Sequence, residues 1–362
     1  MEQKRIMSNK LPGRVAVIYL TPTGKGLAER LTAGWNGESV QVLAAGSSLS
    51  EQVPLLWKEY DNLIFIMAVG IVVRLIAPLI KSKWDDPGVV VVDEGGHFAV
   101  SLLGGHWGGS NNLARQVASV LGAVSVVTTA TDVQGKPAID SLARSLGMIP
   151  LPKARVKQVN SALLAGKRVV LYTEWDLKGL VEETGIEVLP LERYAGEPGG
   201  VPVFVTSRDC SLYSTQGIFL CPASLTAGIG CKRGVSAEEV ISALTEALKC
   251  AGRHPESLSF IASHVAKANE MGLREAVGQM HLPLAFYGAE VLQKIHKQNP
   301  GLADSCFVRE QMGVGGVCET AALAAAAKGK LVLSKTKVGR VTVALAEAGL
   351  LWSASGQAIR RN

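Results

Sequence analysis

Short, wholly apolar runs alternate along the chain with longer stretches in which apolar residues recur every three or four positions. Val15–Leu20 (VAVIYL), bounded by Gly13 and Pro22, reads as a strand buried on both faces, because a run without polar alternation has no solvent side. Val40–Leu43, Leu63–Met67, Val89–Val92, Phe98–Leu103 and Ser125–Thr129 read as further strands. Helices are expected over Gly24–Leu31, Ile71–Ile80, Asn111–Leu121 and Ala138–Leu146. In the third of these, Leu113, Val117, Val120 and Leu121 share one face, and Gly147 closes the fourth. Strands and helices in alternation predict an α/β fold with a mostly parallel sheet covered on both sides.

Two prolines around Leu151–Lys153 interrupt the pattern and suggest a boundary. Arg168–Tyr172, Gly185–Leu189, Val201–Thr206 and Gly217–Cys221 read as strands of a central stretch, with a Gly- and Pro-rich loop at Tyr194–Pro202. Thr226–Cys231 starts a last section with a strand that ends in a glycine turn. Ser236, with Glu239 three residues on, forms a capping box for a helix whose buried stripe is Val240, Ile241, Leu244 and Leu248. Ser259–Ala262, Leu284–Tyr287 and Leu331–Leu333 are strand candidates, and Cys318–Lys328 an Ala-rich helix. The expectation is therefore a multi-domain α/β protein, with mostly parallel sheets flanked by helices, divided as residues 1–150, 151–225 and 226–362.

Leu63–Ile80 has the length of a short membrane span but contains Gly70, Arg74 and Pro78, so a buried strand, a turn and a helix account for it better. The start, MEQKRIMSNKLPGR, lacks the apolar core of a secretory leader. Six cysteines (Cys210, Cys221, Cys231, Cys250, Cys306 and Cys318) include no C-x-x-C pair, which disfavours a structural zinc site and suits reduced thiols in the cytoplasm. The net charge of +6 is scattered over 362 residues, so a nucleic-acid surface is not favoured, whereas a small ligand rich in carboxylates would be steered by it.

The densest chemistry lies between Asp85 and Asp132. Asp93 and Glu94 end a strand and run into Gly95–Gly96, and His106 sits between two Gly pairs. Ligands of open α/β sheets bind beyond the carboxyl ends of strands, and Asp93, Glu94, His106 and Thr128–Asp132 are all expected at such ends. Glu94 or His106 is the candidate base, and Asp132 a candidate to orient water or donate a proton. Amides of Gly108, Gly109 and Ser110, at the start of a helix with Ser110 as its cap, are candidates for an oxyanion site. The ordinary alternative is a set of glycine turns and solvated acids.

A second stretch, GIGCKRG at Gly228–Gly234, joins a strand to a helix and offers Lys232 and Arg233 to anions. A third, GVGGVCETAALAAA at Gly313–Ala326, opens a helix with Glu319 in its first turn, where a carboxylate is helix-stabilising by itself. The chain has no G-x-x-x-x-G-K-[ST] loop, no G-x-S-x-G elbow and no correctly spaced G-x-G-x-x-G, which weakens nucleotide-binding and serine-hydrolase readings.

Together these stretches resemble the CbiG family. The amino-terminal part carries GIVVRLIAPLIKSKWDDPGVVVVDEGG, SLLGGHWGGSNNLA and VVTTATD. The carboxy-terminal part is similar to the CbiG/CobE domain through GIGCKRG, ASHVAKANEMGL, VCETAALAAA, LVLSKTK and VTVALAEA. Residues 151–225 match least distinctively. The chain departs at His264-Val265-Ala266-Lys267, where family members often carry a more acidic, DLK-like segment.

The resemblance implies a cytoplasmic enzyme of anaerobic cobalamin biosynthesis. It would open the δ-lactone of cobalt-precorrin 5A and expel acetaldehyde to give cobalt-precorrin 5B. Cobalt would arrive with the corrinoid substrate, so no cofactor and no protein metal site are expected. Nor is a nucleic-acid or membrane partner, and self-association as a homodimer is left open. Arg74, Lys232, Arg233 and Lys335 would pair with the acidic arms of the substrate. The rival reading is a non-catalytic corrinoid carrier, which would need the cationic loops but not the acidic, His-containing cluster.

Overall fold

The computed structural model describes residues 14–35, 40–44, 48–177, 181, 184–196, 200–209, 213, 217–302, 310, 313, 315–326 and 329–348, with the backbone alone at 351–352 and 358–359. The polar start before residue 14, Cys210, Cys306, residues 197–199 of the Gly- and Pro-rich loop and the 327–328 end of the Ala-rich helix lie outside the described residues. The chain folds as two compact units, one built from Lys10–Arg144 with Leu163–Gly166, the other from the rest of Ser145–Asn362.

The first unit holds a six-stranded sheet in the order β2-β1-β3-β4-β5-β6. Its strands are β1 (Val15–Tyr19), β2 (Val40–Ala44), β3 (Asn62–Ile66), β4 (Gly88–Val92), β5 (Phe98–Leu103) and β6 (Val124–Val126). Helices α1 (Pro22–Ala33) and α4 (Ser110–Leu121) cover one face, and α2 (Leu49–Glu59) and α3 (Val69–Ile76) the other. Alternate residues go to opposite faces: Val15, Val17, Ile64 and Ile66 pack under α1 and α4, while Ala16, Ile18, Leu63 and Phe65 pack under α2 and α3. Burial on both faces is why these strands read as unbroken apolar runs, each Val or Ile gaining roughly 1.5–3 kcal/mol from its removal from water. The Leu63–Ile80 stretch is β3, a turn and α3, and no helix among the described residues is long and apolar enough to cross a membrane.

One strand reverses the pattern. β5 pairs antiparallel with β4, joined by the turn Asp93–His97, and β6 runs parallel to β5. The carboxyl ends of β1, β3 and β4 therefore lie at one edge of the sheet, and those of β5 and β6 at the opposite edge. Beyond β6 come α5 (Ala130–Val133) and α6 (Ile139–Ser145).

The second unit contains two sheets. β7 (Met148–Leu151), β8 (Val169–Thr173), β9 (Glu187–Pro190), β10 (Val201–Val205) and β11 (Ile218–Pro222) order as β7-β11-β10-β8-β9, parallel except for β7, and α7 (Val156–Leu164) follows β7 in the chain. One face of this sheet stacks Tyr172, Phe204 and Phe219, with Tyr194 and Tyr213 against them. β12 (Leu225–Cys231), β13 (Leu258–His264) and β14 (Leu284–Tyr287) are parallel, and β15 (Lys330–Val338) and β16 (Val341–Glu347) complete the order β14-β13-β12-β16-β15. Helices α8 (Ala237–Cys250) and α9 (Met271–Met280) pack on one face of it. Helices α10 (Ala289–Gln298) and α11 (Cys318–Ala325) pack on the other. The capping box forms as expected, Ser236 Oγ accepting from Glu239 N and Glu239 accepting from Ser236 N.

Only Ala223 and Ser224 separate β11 from β12, and Ser224 is buried. A buried carboxylate, Glu347, joins the two sheets. It accepts from Ser207 and Ser224 and lies 3.4 Å from the Arg253 guanidinium, which also donates to Ser207 at 2.8 Å. Removing one partner of a buried pair strands the other charge, at a cost of roughly 3–5 kcal/mol, whereas replacing both with apolar residues is often near neutral. Glu347→Leu is expected to lower unfolding free energy by about 3 kcal/mol in urea titration. The double variant Glu347→Leu/Arg253→Met is expected to recover most of that loss, and a double variant as unstable as the single one would contradict this account.

Candidate functional site

At the carboxyl edge of β1, β3 and β4 three turns meet. β1 runs into α1 through Thr21, which caps the helix by accepting Gly24 N at 3.1 Å. β3 runs into α3, where Arg74 folds back to donate to Gly70 O at 3.2 Å. The β4–β5 turn carries Glu94, whose exposed carboxylate accepts Thr21 Oγ1 at 2.7 Å. The chain steps from β1 out to β2 and then back across β1 to β3, so the covering helices part between β1 and β3. Such a reversal leaves a crevice at the carboxyl ends of the strands, where open α/β sheets take their ligands. Glu94, Arg74, Thr21 and Lys25 line this edge, with the exposed apolar residues Leu20, Val69 and Ile71 beside them. Thr21 and Lys25 escaped the sequence reading. The signal was there in TPTGKG directly after a buried strand, but no phosphate-loop spacing drew attention to it.

Asp93, next to Glu94, is a turn former. Its carboxylate accepts Gly95 N at 3.1 Å and Phe98 N at 2.6 Å and lies 3.2 Å from His97 Nδ1. Burial opposes its ionisation, but the bonds from Phe98 and His97 win and hold its pKa below the usual carboxylate value.

His106 and Asp132 are not at this edge. They follow the carboxyl ends of β5 and β6, so the reversal of β5 puts them across the sheet from Glu94. Asp93, Glu94, His106 and Asp132 each follow the carboxyl end of a strand, as expected, but because β5 and β6 run opposite to β4 these ends fall at two opposite edges of the sheet. His106 Nε2 lies 2.9 Å from Thr131 Oγ1, and Nδ1 lies 2.8 Å from Ser141 Oγ and 3.6 Å from Asp132 Oδ2. Asp132 also accepts from Thr129 at 2.6 Å, from Asn111 at 2.9 Å and from Arg115. Burial opposes its charge, but the bonds from Thr129 and Arg115 and the charges of His106 and Arg115 outweigh it and lower the pKa. In this network Asp132 acts as a hydrogen-bond acceptor.

The glycine loop before α4 is packed backbone. A Cβ on Gly88 would lie 2.6 Å from Gly108 O, and one on Gly108 would lie 2.6 Å from Gly104 O. Gly109 N donates to His106 O at 3.1 Å, and Ser110 N to Gly104 O at 3.2 Å. Those two amides are spent inside the loop, and Gly108 and Ser110 are buried, so the proposed oxyanion set is not open to a ligand. Ser110 is not the cap of α4 either. Gly109 takes that position with φ 81°, and the Ser110 hydroxyl instead meets Ser101 Oγ at 2.7 Å. Arg144 from α6 lies across Gly109 and donates to Trp107 O, closing the loop.

In the second unit, Lys232 and Arg233 are exposed at the carboxyl end of β12. Arg340 donates to Arg233 O and Gly234 O, and Glu270 accepts Gly234 N at 3.1 Å, so the turn backbone is held while both cations stay outside. Lys335 is exposed on β15, and its N–H donates to the buried Glu319 of α11 at 3.0 Å. Gly228 has a packing role: a Cβ there would fall 1.8 Å from Cys318 O, so only Gly lets α11 lie this close to β12. Among the described residues no group of three or more His, Cys, Asp and Glu is placed to hold a metal ion, and Cys221, Cys231, Cys250 and Cys318 are free thiols.

Family models cover most of the chain. Residues 51–132 match one described as cobalamin synthesis G N-terminal, residues 137–222 the cobalamin biosynthesis central region, and residues 225–346 the cobalamin synthesis G C-terminus. Cobalt-precorrin-5A hydrolase from Salmonella typhimurium is 35% identical over 333 residues, covering 87% of this chain and 93% of that protein. The Priestia megaterium protein of the same name is 28% identical over 358 residues, covering 92% and 95%. Protein CobE from Sinorhizobium sp is 35% identical over 125 residues, covering only 34% of this chain and 80% of CobE.

The network around His106 ties the loop before α4 to α5 and α6. His106→Ala is expected to lower stability by about 1–3 kcal/mol, because the buried Thr131 hydroxyl and that of Ser141 lose their partner. Thermal unfolding checks this, and an unchanged midpoint would show that the network does not hold the loop. The depressed pKa of Asp132 contributes stability that is full above its unfolded value, near 4, and is lost as pH falls through the lower folded value. Asp132→Asn is therefore expected to lose less stability than the wild type on acidification below about pH 4, read from urea midpoints across that range.

Proposed function

This chain belongs to the cobalamin synthesis G family, and from that membership we propose that it is a cobalt-precorrin-5A hydrolase. It opens the δ-lactone of its corrinoid substrate and releases acetaldehyde to give cobalt-precorrin 5B. The likeness to hydrolases of that name along nearly the whole chain carries this reading. A corrinoid carrier would need only the part shared with CobE, whereas residues 51–132 match the family as well.

The reaction consumes one water. Water adds to the lactone carbonyl and the acyl–oxygen bond breaks, leaving a carboxylate on the macrocycle and a hydroxyl on the two-carbon fragment. That hydroxyl then gives up its proton as the carbon–carbon bond to the macrocycle breaks, the bonding pair stays on the macrocycle, and the fragment leaves as acetaldehyde. The reading places this chemistry at the Glu94 edge of the first unit. Glu94 is exposed, is held in orientation by Thr21, and sits where the strand order reverses, so it can take the proton of an attacking water. Lys25 and Arg74 at the same edge supply positive charge for carboxylate arms, and Leu20, Val69 and Ile71 supply apolar contact for the macrocycle. Lys232, Arg233 and Lys335 serve acidic arms in the second unit. His106 and Asp132 serve the fold of the first unit in this account, since their polar atoms are occupied within the protein.

Cobalt enters and leaves with the macrocycle and the protein contributes no metal of its own, so prior treatment with a chelator is expected to leave turnover unchanged. A reducing cytoplasm suits the free thiols. Glu94→Gln keeps the shape and removes the base, and is expected to slow acetaldehyde release by about 10²–10⁴-fold with the unfolding midpoint preserved. Full turnover by this variant would move the chemistry away from Glu94. Failure of the wild type to release acetaldehyde from cobalt-precorrin 5A would remove the hydrolase reading itself.

A further inference from the structure

β13 ends at His264, whose side chain caps the short turn Val265–Lys267 by accepting Ala266 N at 3.1 Å on Nδ1. That bond sets the tautomer. A ring nitrogen that accepts carries no proton, so the proton of the neutral imidazole sits on Nε2. Nε2 is buried without a hydrogen-bond partner, in a residue only 6% exposed. Burying a donor with nothing to receive its proton costs stability. The cap does not require it. An Asn side chain would accept the same N–H and bury no second ring nitrogen. The far nitrogen of His264 is therefore surplus to the fold.

Its surroundings suit an anion. Alternation along β13 sends Ala262 and His264 to the same face of the sheet. Ala262 packs there with Leu292 of α10 and Ala321 of α11, and Tyr287 and Val317 lie against the same cluster. Tyr287 is the neighbour of His264 across the β13–β14 pairing, and Val317 is the N-cap of α11. The first amides of a helix have no intrahelical partner, and its dipole favours negative charge at that end. Glu319 in the first turn turns its Oε1 to Lys335 N on β15. Gly228 allows this helix end to approach the strands closely. Burial, and after it the charge of Lys267, lower the His264 pKa and keep the ring a neutral donor.

We propose that His264 Nε2–H, on the sheet face it shares with its cross-strand neighbour Tyr287 and the start of α11, forms a carboxylate-binding subsite that takes one acidic arm of the corrinoid substrate. The subsite rests on the corrinoid reading above.

The test uses the full-length protein and two probes, cobyrinic acid (a cobalt corrin with free carboxylates) and its fully methyl-esterified form. Calorimetric titration is expected to show wild type binding the acid more tightly than the ester. His264→Asn keeps the cap on Ala266 and removes the far donor. It is expected to melt no lower than wild type, to lose about 10-fold in affinity for the acid, and to bind the ester unchanged. A structural His would show the reverse, a lower midpoint with affinity intact. In the wild type, the Nε2–H resonance of His264 is expected to shift on saturation with the acid. A resonance that does not move overturns the subsite however the variant folds. Equal affinity of both proteins for the acid also overturns it and leaves the hydrolase reading standing. Wild type that binds neither corrin and releases no acetaldehyde removes both.

Discussion

The antiparallel pairing of β4 with β5 decides what the amino-terminal unit can do. A parallel continuation would have needed a crossover, and the short turn Asp93–His97 leaves room only for a hairpin. Once β5 runs backwards, its far end and that of β6 fall at the opposite edge, and the residues that follow go with them. Glu94 is left at one edge with Thr21, Lys25 and Arg74. His106 and Asp132 are drawn into a closed hydrogen-bonded set at the other. One change of strand direction thus sorts a single run of chemically suggestive residues into an exposed group and a structural one.

Glycine serves both units in the same way, by allowing backbone to touch backbone. Gly88, Gly104 and Gly108 let the loop before α4 lie on the start of β4, and Gly228 seats the first turn of α11 on β12. Loops of this composition look in sequence like anion cradles. In the folded chain the amides of Gly109 and Ser110 already have carbonyl partners, and the close approach itself is the function of the missing side chains. The Ala-rich character of α11 follows from the same constraint, since a helix packed this near a sheet has space only for small residues.

Buried polar groups differ in how completely they are satisfied. The Asp132 carboxylate and both nitrogens of His106 have partners, and the Glu347 carboxylate is shared among Ser207, Ser224 and Arg253. Such networks hold elements in place and leave little for a ligand to use. His264 has one nitrogen used and one idle. In the proposal above, that idle donor is what His264 offers to a ligand.

The sequence alone marked many of the elements, though it left α2, α7, α9, α10, β7 and β16 unassigned. Unbroken apolar runs marked strands buried on two faces, period-3.6 stripes marked the helices, and Ser236 with Glu239 marked a helix start, because these signals act between residues close in the chain. The family was equally legible, since it rests on motifs kept in order along the chain. Tertiary structure alone decided which residues meet. That His106 would bond Ser141 rather than join Glu94, that Gly109 and Ser110 would spend their amides inward, and that His264 would bury an idle donor all depend on strand direction and on contacts between residues distant in the chain. Local pattern carries no record of such pairings, because strand direction and long-range contact are settled only when the sheets close.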